Sequence, residues 1–198
     1  MSINTRKSIV LVHYPCVDKN GELYTTAITN MDVHDIARSA CTYGIDNYYI
    51  ISPITAQRDL TQTMVDYWQE EKSIKKNPDR AKALSRIVVL KTLEEAVLAE
   101  EKILGKPPLL ISTSAKEFEN KTITYSKGSE ILKEKDSLII FGTGYGLASS
   151  ILDKSDYILR PIYGYQGYNH LSVRSAAAII MDRLLGRDNE KMFLGQGR

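Results

Sequence analysis

The chain has 198 residues, of which 43% are hydrophobic and 25% charged, with 26 Lys and Arg against 24 Asp and Glu. Such a composition buries enough apolar surface to offset the entropy of ordering, which excludes intrinsic disorder. The near balance of charge excludes a wholly basic nucleic-acid coat, so a polyanion partner would have to be met by a local patch.

The apolar runs, such as residues 9–12 and 138–141, fall far short of the roughly 20 residues that cross a bilayer. The first residues lead straight into a strand-like run rather than a signal peptide, and Cys16 and Cys41 have no metal-ligand spacing. A cytoplasmic protein is therefore expected, without membrane or metal, as one domain over residues 1–198 that ends in a polar tail at 187–198.

Short β-branched or aliphatic runs recur at residues 8–13, 48–52, 86–90, 109–113, 137–141 and 157–162, with helix-length stretches between them. Nearly continuous apolar strands alternating with helices predict an α/β fold, a mostly parallel sheet covered by helices on both faces. A first helix is capped by Asn30 or Asp32, buries Val33, Ile36, Ala37, Ala40 and Tyr43, and stops at Gly44; its other face carries His34, Asp35, Arg38 and Ser39. A second helix is expected over 56–76, a turn at Asn77-Pro78-Asp79, and a third helix over 93–104. The last helix, 173–185, is capped by Ser172 and apolar on nearly every side, as suits a core helix or one that also meets a second subunit.

The richest stretch is 137–147, where a buried strand runs into Gly142, Gly144 and Gly146 and then a helix. Glycine lets backbone turn sharply and approach a ligand whose polar atoms can meet exposed N–H groups. The spacing does not match a dinucleotide fingerprint, no Gly-Lys-Ser or Gly-Lys-Thr follows, and there is no Gly-x-Ser-x-Gly elbow. Two more segments end strands on the side where ligands of open α/β sheets collect: Ser112 to Lys116, and an aromatic, glycine-interrupted loop over 160–172. Its tyrosines suit either base stacking or an interface.

Three motifs occur in order: Asn30-Met31-Asp32-Val33-His34-Asp35-Ile36-Ala37-Arg38, the glycine loop from Phe141 to Leu147, and Tyr168-Asn169-His170-Leu171-Ser172-Val173-Arg174. Together they resemble the SPOUT superfamily of S-adenosylmethionine (SAM)-dependent RNA methyltransferases, and more narrowly its bacterial family found alone or fused to a tRNA guanine methyltransferase. Ser112-Thr113-Ser114-Ala115-Lys116 and Asn77-Pro78-Asp79-Arg80 match that family too. The resemblance runs from about Ile9 to Gly186.

It implies a C-terminal trefoil knot, a homodimer with active sites at the subunit interface, and methylation of tRNA or rRNA. A non-catalytic RNA-binding or assembly factor with a retained pocket is the alternative. The cofactor would be lined by Ser112, Thr113, Gly142, Thr143, Gly144, Gly146, Leu147, Ile162, His170, Leu171, Ser172 and Val173. Arg38 matches the arginine that ribose-methylating relatives use to orient phosphate or activate a hydroxyl; otherwise it forms a surface ion pair with Asp35. His34, one turn away, would relay a proton or sit solvated. Asp32 stands where those relatives have Asn, and their loop glutamate is absent, with Thr143 and Tyr145 there instead. This weakens a ribose reading and leaves Asp32 as a base near a ring nitrogen or as a helix cap. Lys72, Lys75, Lys76, Arg80, Lys82 and Arg86, with Trp68, form the candidate RNA-facing patch, against which stand the interleaved Glu70, Glu71 and Asp79.

Overall fold

The computed structural model describes residues 5–186. In chain order the elements are β1 (Lys7–Val12), β2 (Cys16–Val17), β3 (Leu23–Tyr24), α1 (Asn30–Thr42), β4 (Tyr48–Ile51), α2 (Thr55–Gln69), α3 (Glu71–Lys76), α4 (Pro78–Leu84), β5 (Ile87–Leu90), α5 (Leu93–Leu104), β6 (Leu109–Thr113), β7 (Thr122–Ile123), α6 (Tyr125–Glu134), β8 (Ser137–Gly142), α7 (Ser149–Leu152), β9 (Tyr157–Leu159) and α8 (Val173–Leu185). The expected polar tail at 187–198 lies outside the described residues.

Seven strands form one parallel sheet in the order β5-β4-β1-β8-β6-β9-β7, while β2 and β3 form a small antiparallel pair. β8 is the central strand, pairing with β1 on one side (Ile9 with Ile139) and with β6 on the other (Ile111 with Ile139). Successive side chains of a strand point to opposite faces, so each apolar strand serves two cores. Ile9, Leu11, Ile139 and Phe141 pack with α1, α2, α4, α6 and α8. Val10, Val12, Leu138 and Ile140 pack with α5 and α7. Each such buried aliphatic side chain contributes about 2 kcal/mol relative to water. The expected α/β architecture is thus found, and among the described residues no helix is long and apolar enough to cross a membrane.

Three local expectations change. Thr29, not Asn30 or Asp32, caps α1: its Oγ1 accepts the Asp32 N–H at 3.1 Å, and its hydroxyl donates to Asp32 Oδ2 at 2.6 Å. Asp32 thus answers the cap from the third helical position by accepting its hydroxyl, where an acid also favours the helix dipole. The single helix expected over 56–76 breaks at Glu70, whose backbone is extended. No proline or glycine forces the break. Gln69 Nε2 donates to Ala81 O at 3.0 Å and Ser73 becomes buried, so packing of α3 and α4 overrides a continuous helical propensity. Finally, α6 joins the helices; its Gly128 sits where a Cβ would come within 2.8 Å of Leu184 Cδ2, which brings α6 hard against α8.

Candidate active site

The C-terminal ends of β6, β8 and β9 open on one cleft of about 600 Å³. Its walls come from residues 113–116 after β6, 141–146 after β8, Arg160 and Ile162 after β9, and 169–174 leading into α8. Thr26, Ala27 and Asp32 close one side, and Tyr125, Ala176 and Ile180 form the floor. Asn169 Nδ2 donates to Ala115 O at 3.1 Å, which ties two of these loops together.

The glycine loop is held from outside the sheet. Tyr145 N–H donates to Val17 O at 3.1 Å, Val17 N–H to Gly146 O at 3.0 Å, and Ala148 N–H to Pro15 O at 3.2 Å. Gly144 and Gly146 have φ of +61° and +117°, a region that side chains other than glycine's rarely enter. A Cβ at Gly144 would strike the Tyr24 hydroxyl, and one at Gly142 would lie 2.8 Å from both Leu147 N and Leu147 Cγ. The β2–β3 pair is therefore the buttress that shapes the cleft wall.

Beneath the loop lies a buried polar chain. The Thr143 hydroxyl donates to Val12 O at 3.0 Å, which leaves Thr143 Oγ1 to accept from Thr26 at 2.5 Å. With the Thr26 proton so used, His13 Nδ1 must donate to Thr26 Oγ1, 2.8 Å away. His13 is fully buried and its Nε2 has no partner. Burial pushes its pKa down to about 4, against a smaller upward pull from Asp32, so the ring is neutral at pH 7.

The rim is cationic, with Lys116, Arg160 and Arg174 around it. Arg174 Nη1 lies 2.9 Å from Asp32 Oδ1, and its Nε lies 3.7 Å from Asp35. Arg160 sits 5.4 Å from the centre of the Tyr163 ring, whose hydroxyl donates to Glu117 at 2.5 Å. On the floor, the Tyr125 hydroxyl is buried without a hydrogen-bond partner. A buried orphan hydroxyl costs free energy unless something polar meets it.

Of the residues expected from sequence, the cleft brings together Asp32, Thr113, Gly142, Thr143, Gly144, Gly146, Ile162, His170, Leu171, Ser172 and Val173. Ser112 is instead buried and bonded to Ser155 at 2.6 Å, because its place on β6 turns it into the sheet's interior. Leu147 packs under the loop in the second core. His34 meets Trp68 edge-on with ring centres 5.8 Å apart, and burial, then Arg80, lowers its pKa. Arg38 lines a separate depression between α1 and α4, and the Asp35 expected beside it faces Arg174. The reason is helical geometry: Asp32 and Arg38 are six residues apart, which puts them on different sides of α1. Sequence reasoning missed Thr26, Tyr125 and the pairing of Arg174. Only Arg174 carried a signal, as part of the third motif.

Residues 6–186 match the sequence model of a family described as SAM-dependent RNA methyltransferase. The chain belongs to this family. Its members act on RNA with SAM, so the enzyme reading stands over the non-catalytic RNA-binding factor. An uncharacterized protein of Aquifex aeolicus is 46% identical over 188 residues, 94% of this chain and 91% of that one. A tRNA (guanine-N(1)-)-methyltransferase of Nitratidesulfovibrio vulgaris is 46% identical over 176 residues, 89% of this chain but 41% of that protein. The chain thus spans about two-fifths of that relative. The SpoU methyltransferase AviRb of Streptomyces viridochromogenes, solved in complex with AdoMet, shares the fold with a TM-score of 0.56 at 16% identity, covering 99% of this chain and 61% of that one. The α/β fold of this chain is therefore one that a SpoU methyltransferase also adopts.

Proposed function

We propose that the cleft binds SAM and that the chain methylates tRNA or rRNA in the cytoplasm, on a nucleobase rather than a ribose hydroxyl. The observation that carries this reading is the convergence of the glycine loop, the 113–116 segment and the 169–174 segment on one cleft. The residues present suit the cofactor. Phe141, Ile162, Leu171 and Ile180 offer an apolar slot, and the positions of Gly142 and Gly144, where a Cβ would collide, permit close backbone approach. Thr113, Gly142, Thr143, Gly144, Gly146, Ile162 and residues 170–173 would hold it. When bound, SAM supplies a methyl group on a positively charged sulfur.

Methyl transfer from such a donor depends chiefly on aligning the acceptor atom. Asp32, with one oxygen on Arg174 and the other on Thr29, serves as the residue that orients Arg174 rather than as a base. Arg174 then presents guanidinium donors to an RNA phosphate, with Lys116 and Arg160 across the cleft. The Asn and Glu of ribose-methylating relatives are replaced here by Asp32 and by Thr143 or Tyr145, which favours a base as acceptor. His34, packed on Trp68, takes no part in the transfer.

The assembly belongs to the same proposal. Tyr145, Tyr163, Tyr165, Tyr168 and Leu171 stand exposed around the cleft, a patch that a second subunit would cover in a homodimer. The C-terminal segment would pass through the trefoil knot of the fold type.

The test is direct. Protein incubated with methyl-labelled SAM and RNA from a strain lacking its gene should transfer label to tRNA or rRNA, and mass spectrometry should place it on a base. Label on a ribose would overturn the base assignment, and no label in any RNA would overturn the activity.

A further inference from the structure

The candidate basic patch reads differently once its partners are known. Lys75 is paired with Glu71 at 2.6 Å, and Arg86 donates to Ile45 O inside the fold. Two of the others, Arg80 and Lys82, join Arg38, Asn77 and the single carboxylate Asp79 around a depression of about 370 Å³. It lies between α1 and α4, and shares no lining residue with the cleft.

Among the described residues, no carboxylate pairs with the side chains of Arg38, Arg80 or Lys82. Asp35, the acid expected near Arg38, faces Arg174. Arg80 is instead laid over the Trp68 ring, 5.0 Å from its centre, which fixes the plane of the guanidinium and lowers the entropy lost when it binds. The excess of positive charge is felt by a neighbour: His34 is held below its usual pKa by burial first, then by Arg80 and by Arg38, with Asp35 opposing. Three cations gathered around one carboxylate repel one another, and that repulsion is relieved by an anion.

We infer that this depression is a second anion site, which takes a backbone phosphate of the RNA substrate while the target nucleotide occupies the cleft. The inference rests on the methyltransferase reading. Two planar guanidinium groups and an ammonium match the tetrahedral oxygens of a phosphodiester. The position of Arg38, outside the cleft and on another side of α1 from Asp32, then has a purpose: it anchors the RNA at a distance from the reacting atom and contacts no reacting group.

Trp68 is the sole tryptophan, so Arg80 carries a built-in optical reporter. Total bacterial tRNA added to the full-length protein should change Trp68 emission, and the midpoint should move to higher tRNA concentration as salt rises. The double variant R38E/K82E keeps Trp68 and Arg80 in place. It should lose at least tenfold in tRNA affinity, and the slope of log affinity against log salt should shrink by about one or two. Calorimetric SAM affinity and the melting temperature should stay as in the wild type.

An unchanged salt slope in R38E/K82E overturns the second site and leaves the methyltransferase reading intact. A loss of dimer in the variant without RNA, seen by sedimentation, overturns it in favour of a contact between copies of the chain. Wild-type protein that transfers no label and binds no tRNA overturns both.

Discussion

Arg174 on the last helix and Asp32 on the first are joined by a 2.9 Å ion pair across 142 residues of chain, at the wall of the cleft. Asp32 is nearly buried and Arg174 about a quarter exposed, so removing the arginine leaves a carboxylate with only Thr29 to satisfy it. Arg174→Ala should lower stability by about 2 kcal/mol in urea unfolding. It should reduce methyl transfer far more than SAM affinity. Arg174→Lys should recover part of the stability and less of the activity, because an ammonium lacks the fork. Equal activity in Arg174→Ala would remove Arg174 from the proposed chemistry.

His13 predicts a pH effect. Its folded pKa is about 4, set by burial, whereas the unfolded ring titrates near 6.5. The unfolded state therefore binds the proton first. The stability due to neutral His13 is full above about pH 6.5 and is lost as pH falls toward 4, by up to about 3 kcal/mol. His13→Gln should flatten unfolding free energy over that window. It should also weaken SAM binding, because Thr26 and Thr143 lose the end of their chain.

Glu100 makes a second, separable pH prediction. It is buried with Arg6 at 2.8 Å, the Tyr49 hydroxyl at 2.7 Å and the Ser8 hydroxyl at 2.7 Å. Burial pushes its pKa up, but these partners outweigh burial and leave it below the ordinary carboxylate range. Its contribution is thus present above the unfolded value and lost as pH falls through the folded one. Glu100→Gln should cost about 3 kcal/mol at pH 7 by removing the charged acceptor shared by Arg6, Tyr49 and Ser8 and leaving Arg6 only the longer pair to Asp46 at 3.5 Å, and less at pH 3. Methyl transfer per folded molecule should not change, since Glu100 sits on the buried side of α5 and does not line the cleft.

Three glycines separate backbone strain from collision. Gly146→Ala meets open space and should cost only the left-handed strain of about 1–2 kcal/mol. Gly144→Ala adds the collision with Tyr24, so Tyr24→Ala in the same chain should restore part of the loss. Gly142→Ala presses on the backbone of Leu147 and should lower SAM affinity most, read by calorimetry. A Gly142→Ala protein with wild-type affinity would detach the loop from the cofactor.

The sheet was legible because its main strands are nearly unbroken apolar runs, and a strand buried on both faces needs no alternation to be seen. β2, β3 and β7 are two residues each and leave no pattern. α6 was hidden by Gly128, which reads as a breaker but serves close packing on α8. At the site, the glycine loop announced itself through composition. The chain from His13 through Thr26 to Thr143 could not, because its members lie 13 and 117 residues apart. The first-motif arginine drew attention to Arg38, while the folded chain places Arg174 in the cleft. Which of two arginines faces a cavity depends on helix rotation and crossing, and those are set by tertiary packing.

The strand order has a consequence for how the molecule comes into being on the ribosome. β1 and β6 are both synthesised before β8, yet neither touches the other; β1 waits with one bare hydrogen-bonding edge and β6 with two, because its other partner, β9, is made later still, until residues 137–142 slot between them. Sheet closure at this keystone and creation of the glycine loop are one event. A nascent chain released short of it would expose three adhesive edges, one on β1 and two on β6, and no cleft, which makes late translation the period when this protein most needs a chaperone.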